Sequence, residues 1–181
     1  MNRRRFLLTS LAGAFAAPLA AAGQTRVYRV AFLAQGSPPT PGQPQYFRPA
    51  LRELGYVEGQ NLMLEFRYAE GKNERFPGLA ADLVALKPDV IVADSTPAAL
   101  ATKRATTTIP IVFVNVSDPV GTGIVESLTR SGGNITGVTD FGTALVVKQL
   151  NLLQELLPKK SSRIAVLMSA NPVHPLQLKL I

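Results

Sequence analysis

Short apolar runs of strand character alternate with segments of helical periodicity along almost the whole chain. The strand candidates are residues 27–34, 61–68, 89–93, 109–116, 135–138 and 163–168. Between two such runs, each intervening helix has to cross the sheet before the next strand begins. Because such crossovers are almost always right-handed and bring consecutive strands together in parallel, the alternation predicts an α/β fold with a doubly wound parallel sheet.

The segments between the strands carry the spacing and the end signals of helices. Apolar residues recur at intervals of three and four, and glycine or proline stands where each helix should stop. Helices are predicted over residues 47–54, 76–86, 98–105, 119–130 and 146–157. Two of them are preceded by the same device, a capping side chain followed by proline, in Ser95-Thr96-Pro97 and in Asp118-Pro119.

The first 22 residues have the layout of an export signal. Three arginines at positions 3–5 precede an apolar segment, and a run of three alanines ends at Ala22, where signal peptidase would cleave. Arg3-Arg4-Arg5-Phe6-Leu7 also resembles the twin-arginine pattern. The alternative is a membrane anchor, but Gly13 and Pro18 interrupt a segment shorter than the roughly 20 residues of a bilayer span. The pattern predicts a protein released into the periplasm.

Composition narrows the classes of function. The chain has no cysteine, which excludes disulfides, thiolate metal sites and a lipid-modified cysteine. Cleavage at Ala22 would lower the formal net charge from +7 to +4, because three of the 19 basic residues lie in the signal. The remaining basic residues are scattered without interleaved aromatic residues, so no nucleic-acid partner is expected. His174 is the only histidine, and neither a metal nor a cofactor is predicted.

A ligand site is expected where the strands end. In open parallel sheets, ligands bind outside the carboxyl ends of the strands, and with a flavodoxin-like strand order 2-1-3-4-5 the first and third strands flank the crevice. Two loops there run into predicted helix N-termini, which favour an anionic group, while Asp118 could attract an ammonium, so a zwitterionic solute would suit both. The candidates are Gly36, Ser37, Ser95, Thr96, Pro97, Ser117 and Asp118, with Phe141 as an aromatic residue that could stack on the solute.

Each of these residues also has an explanation that needs no ligand. Serine, threonine and aspartate before proline are ordinary helix caps, which would account for Ser95, Thr96 and Asp118 without any binding role. Phe141 could equally pack in the core or at the rim of a cleft. The sequence leaves both interpretations open for these residues.

Four stretches carry a resemblance to a known family. They are RELGYVEGQN, TPAALATKRATTTIPIVF, DPVG and GGNITG, at residues 52–61, 96–113, 118–121 and 132–137. These stretches resemble the ABC transporter substrate-binding protein family related to tryptophan and tyrosine transport. The resemblance implies two α/β lobes, as in type I periplasmic binding proteins, a small polar or amino-acid-like solute held between them, and an ABC permease in the inner membrane as partner.

The resemblance also carries expectations about sites and domains. It places Ser37, Thr96 and Asp118 at the cleft, whereas Asp94-Ser95 departs from the smaller residues expected there and would suit a cationic or hydroxylated solute. Because family members run to roughly twice this mature length, the expected organisation is a signal at 1–22, a first lobe at 27–141 and the start of an incomplete second lobe at 142–181.

Two other classes of protein share parts of this pattern. A phosphoacceptor receiver domain has the same strand order and an aspartate at the end of its third strand, where Asp94 lies, but the acidic pair that would bind Mg²⁺ after the first strand is missing. A nucleotide-binding α/β domain would need a glycine-rich phosphate loop, and none follows a strand. Without a histidine-paired nucleophile either, the sequence predicts a binding protein and not an enzyme.

Overall fold

The structure is a computed structural model that describes residues 26–39, 47–140 and 142–157, together with 165, 171, 172, 174 and 175. Its strands are β1 (Tyr28–Ala34), β2 (Leu62–Tyr68), β3 (Val90–Asp94), β4 (Ile111–Val116) and β5 (Ile135–Thr139). Its α-helices are α1 (Phe47–Glu53), α2 (Phe76–Ala85, after a short 3-10 turn at Asn73–Arg75), α3 (Thr96–Ala105) and α4 (Gly142–Leu156).

The five strands form one parallel sheet. Their order is β2-β1-β3-β4-β5, which confirms the strand order predicted from the sequence. Connections run from β1 outward to β2 on one side and from β3 outward to β4 and β5 on the other. The adjacent strands β1 and β3 therefore flank the point at which the chain changes direction, where ligands bind in sheets of this kind.

The main core lies on the face of the sheet covered by α2 and α3. Leu33, Ile91 and Ile111 project onto this face and are at most 1% exposed, as are Phe76 and Leu83 of α2. Helix α1 covers part of the opposite face, where the Phe47 ring meets the Phe32 ring edge-on with centroids 4.6 Å apart. Burying these side chains on both faces fixes the strands, and with them the loops at their ends.

The helix predicted at residues 119–130 is wrong. The segment after β4 folds into consecutive turns, in which Asp118 O accepts from Thr122 N and Pro119 O accepts from both Ile124 N and Val125 N. Gly123 has a φ of +74°, a left-handed conformation that interrupts a right-handed helix. The loop is still packed, since Ile124 and Val125 are buried and Lys103 Nζ of α3 donates to Gly123 O at 2.7 Å.

Several sequence-based predictions fall on residues that the structure does not describe. The signal at 1–22 and Phe141 lie outside the described residues, and so does the sixth strand at 163–168 apart from residue 165. Within the described ranges, no helix is long and apolar enough to cross a bilayer. The boundary between the two lobes near residue 141 remains a prediction.

Candidate solute-binding site

The carboxyl ends of β1, β3, β4 and β5 lie side by side, and the residues that follow them form one surface. We call residues 35–38, 94–97, 115–121 and 139–140 the ligand edge. Gly36 and Ser37 of the first loop are exposed. Their loop is tied to the turn after β2, because Gln35 O accepts from Gly71 N at 2.8 Å and Gly36 O accepts from Glu70 N at 3.0 Å.

The junction between β3 and α3 contains the predicted helix cap. Ser95 Oγ accepts a hydrogen bond from Ala98 N at 3.4 Å, and Ser95 O accepts from Ala99 N. The backbone of Ser95 has φ 119° and ψ 161°, a region that costs a non-glycine residue about 1–3 kcal/mol. Such conformations persist where the surrounding structure enforces them, and they cluster at functional sites.

Burial separates the residues predicted at this junction. Ser95 is 7% exposed, Thr96 is 1% exposed and Pro97 is buried as well, whereas Asp94 at the end of β3 is only partly buried. The loop after β3 therefore presents the Asp94 carboxylate to solvent more than it presents the two hydroxyls.

Asn115 and Asp140 were not singled out in the sequence, and both lie at the ligand edge. Asn115 Nδ2 donates to Asp94 Oδ1 at 2.6 Å, and Ser117 Oγ donates to Asp140 Oδ2 at 3.2 Å. These bonds link the ends of β3, β4 and β5. The available signals were a polar residue near the end of an otherwise apolar strand, for Asn115, and an aspartate directly after a strand, for Asp140.

Asp118 organises the turn that follows β4. Its Oδ1 accepts from Gly121 N at 2.8 Å, and its carbonyl oxygen accepts from the Thr122 hydroxyl. A Cβ on Gly121 would lie 2.1 Å from Asp118 Oδ2, so a side chain at this position would require the Asp118 carboxylate to move. Asp118 therefore caps the turn, which is one of the two roles that the sequence allowed. Asp118 Oδ1 is used in the turn, and Oδ2 is the oxygen available for other contacts.

Charge is distributed unevenly over the described residues. Four acidic residues form ion pairs with arginine, namely Glu58, Glu65, Glu70 and Asp89. At the amino-terminal end of β1 and β3, the Arg29 backbone N–H and the Arg26 guanidinium lower the pKa of Asp89. Asp94 and Asp118 form no ion pair with any residue that the structure describes. Within the described ranges, acidic groups without an ion pair are therefore present at the ligand edge, as they are elsewhere at Glu74 and Asp82.

An aromatic residue, Tyr68, lies at the end of the strand beside β1. Tyr68 ends β2 in register with Ala34, and its ring stacks on that of Phe66 with centroids 6.1 Å apart. Burial raises the pKa of the Tyr68 phenol, which keeps this hydroxyl neutral.

No group of three or more histidine, cysteine or acidic side chains suited to a metal ion occurs among the described residues.

This arrangement, a parallel sheet with polar side chains at its carboxyl edge, is an α/β fold of the kind whose ligands bind at that edge. Residues 43–174 match the family model of the ABC transporter substrate-binding proteins. The match covers most of the chain, and the chain belongs to this family.

Relatives and solved structures agree with the assignment. The chain is 37% identical over 128 residues to a tyrosine-binding protein of Clostridioides difficile, an alignment that covers 71% of this chain and 36% of that protein. A conserved domain protein from Vibrio cholerae has 34% identity and a TM-score of 0.65, over 74% of this chain and 45% of the other. An ABC domain from Streptococcus pneumonia in complex with L-Trp has 27% identity and a TM-score of 0.56, over 66% and 42%. The chain spans less than half the length of each of these proteins.

Proposed function

We propose that this protein is the periplasmic solute-capturing component of an ABC importer and that the described lobe supplies one side of its binding cleft. The observation that carries the proposal is the polar ligand edge, located at the switch point of a sheet in a chain of the substrate-binding family. A second lobe would close over the solute and exclude water, since small-molecule sites bury about 70 to 90% of the ligand surface. An inner-membrane permease would then receive the solute.

The solute is an amino acid, with an aromatic side chain as the favoured class. Two relatives support this choice: one is named for tyrosine, and the other was solved in complex with L-Trp. The ligand edge offers acceptors on Asp94, Asn115 and Asp118 for the donors of such a solute. Ser37 and the backbone at the start of α3 are the groups in this lobe to which a carboxylate would bind.

Export to the periplasm gives a prediction about the N-terminus. We expect the protein recovered from the periplasm to begin near Gly23, because a basic, apolar and small-residue order directs cleavage after Ala22. Mass spectrometry of the periplasmic fraction measures this directly. The paired substitution Arg3→Lys with Arg4→Lys should abolish export if the twin-arginine route is used, and unchanged export would assign the protein to general secretion.

Asp118 provides a test of the ligand edge. Asp118→Ala should weaken binding of the solute by roughly tenfold, because losing a charge-assisted hydrogen bond in a closed site costs about 1.5–3 kcal/mol. Isothermal titration calorimetry on a form that carries both lobes measures the effect. Asp82→Ala, which removes an exposed carboxylate from α2, is the matched control and should leave affinity unchanged.

The alternative is that Asp118 stabilises the turn and does not bind the solute. If this carboxylate only caps the turn at Gly121, Asp118→Ala should lower the unfolding free energy by about 1 kcal/mol and leave affinity at the wild-type value. Urea unfolding of the same two variants separates the two roles.

A further inference from the structure

Two polar side chains at neighbouring strand ends form a pair with a defined set of acceptor atoms. Asp94 is the last residue of β3, and Asn115 of β4 donates its Nδ2 to Asp94 Oδ1 at 2.6 Å. An ionised carboxylate only accepts hydrogen bonds, so the amide nitrogen has to face it and the amide oxygen remains an acceptor. Asp94 Oδ2 and Asn115 Oδ1 accept no hydrogen bond from any residue that the structure describes.

The backbone around this pair holds it in place. Asn115 has a φ of 54°, a left-handed conformation that asparagine tolerates better than most residues. It lies where the register between β4 and β5 shifts, between Phe113 and Val116. Such bulges redirect a side chain that would otherwise follow the alternation of the strand. With Ser95 also at positive φ beside Asp94, both members of the pair lie at or next to a backbone position that the fold enforces.

The charge of the pair indicates what it binds. Asp94 is partly buried and forms no ion pair with any residue that the structure describes, so its charge is available to a cationic group of the solute. A carboxylate gains most from a cationic donor, because charge-assisted hydrogen bonds are about twice as strong as neutral ones. Acceptor oxygens on two residues that are bonded to each other suit an ammonium group, which has three donors and no acceptor.

We infer that Asp94 and Asn115 bind the ammonium group of the solute and restrict the protein to solutes with a free amine. This inference rests on the proposed function and assigns the ammonium to the end of β3, whereas the sequence had pointed to Asp118. In Asp118, Oδ1 is already held by Gly121 N in the turn, while Asp94 is oriented by a side chain that adds a further acceptor.

Two ligands that differ only in the amine test the inference. L-tryptophan and indole-3-propionate share the indole ring and the carboxylate, and both can be titrated to tens of millimolar against the ¹⁵N-labelled 181-residue chain by NMR. We expect L-tryptophan to bind at least about tenfold more tightly, since a site built to pair with a donor rejects the analogue that lacks it. The side-chain amide resonance of Asn115 should shift with L-tryptophan and not with indole-3-propionate.

Substitutions then assign the preference to the pair. Asp94→Asn keeps the shape of the side chain but removes its charge, and it should bring the ratio of the two dissociation constants to within about twofold by weakening L-tryptophan alone. Asp82→Asn makes the same change of charge on the exposed surface of α2 and should keep the wild-type ratio. Asn115→Ala should reduce the ratio by several fold, and it serves as the second variant if Asp94→Asn loses its native amide spectrum.

The outcomes separate this inference from the proposed function. Equal binding of the two ligands by the wild-type chain, or an Asp94→Asn variant that weakens both equally, would overturn the ammonium assignment and leave amino-acid capture in place. If neither L-tryptophan nor L-tyrosine binds a form that carries both lobes, the proposed function fails and the inference with it.

Discussion

Replacing Phe76 with alanine should lower the unfolding free energy by about 3–5 kcal/mol. Phe76 begins α2, is 1% exposed and belongs to the main core, which also contains Leu33, Leu83 and Ile91. Removing the ring leaves a cavity that the surrounding strands, held by their ladder, refill only in part. Because domains have about 5–15 kcal/mol of stability, the variant should be partly unfolded at low denaturant concentration. Urea unfolding followed by circular dichroism measures the loss.

Leu54→Ala is the matched control for this core substitution. Leu54 follows α1 and is 74% exposed, so its truncation should change the unfolding free energy by less than about 0.5 kcal/mol. A loss below 1 kcal/mol in Phe76→Ala would mean that α2 does not pack on the sheet as described.

The fold was predictable from the sequence because the spacing of apolar residues and the residues at the ends of the elements agreed in nearly every helix and strand. The β-branched run at residues 89–93 became β3, and the alternation of Leu62, Leu64 and Phe66 became β2. Gly55, with a φ of +85°, stands just after the end of α1 as predicted. The alternation of strand and helix then left few topologies open, since parallel strands need right-handed crossovers. The observed order β2-β1-β3-β4-β5 confirms the predicted one.

The error at residues 119–130 has a local physical reason. Ser95-Thr96-Pro97 and Asp118-Pro119 share the cap-then-proline signal, but only the first is followed by a run of helix formers, Ala98 to Ala101. After Pro119 come Gly121 and Gly123, and each glycine costs a helix about 1 kcal/mol relative to alanine. A start signal therefore predicts a helix only together with the residues that continue it.

The candidate site was predictable as a set of loops but not as a set of contacts. A site after β1, β3 and β4 is expected from the topology, and Asp94 and Asp118 are visible in the sequence. The bond from Asn115 to Asp94 depends on the pairing of Asp94 with Val114 and on the bulge beside Asn115. Asp94 and Asn115 are 21 residues apart in the sequence. Strand register and bulges arise from packing between strands, and the residue pattern of a single strand does not show them.

Affinity should differ about a thousandfold between this chain alone and a form with both lobes. A micromolar site corresponds to about 8 kcal/mol of binding free energy, and a lobe that supplies half the contacts retains roughly half of it, which is a millimolar dissociation constant. The ligand edge of one lobe leaves the opposite side of the solute in water, where polar contacts are worth less. NMR titration of the 181-residue chain and calorimetry on the two-lobe form, with L-tryptophan as the common ligand, measure the two constants.

Amide exchange of helix α4 provides a second test of the two-lobe cleft. Leu152, Leu153 and Leu156 are 49%, 43% and 81% exposed, although their apolar side chains would stabilise a helix only by packing. We therefore expect fast amide exchange over residues 142–157 of the 181-residue chain and slow exchange in β1, β3 and β4, where Ala31, Ile91 and Ile111 are buried. In the two-lobe form the exchange of α4 should slow by at least tenfold, because the second lobe would cover these leucines. Equal protection of α4 and β3 in the 181-residue chain, or micromolar binding by that chain, would contradict the two-lobe cleft.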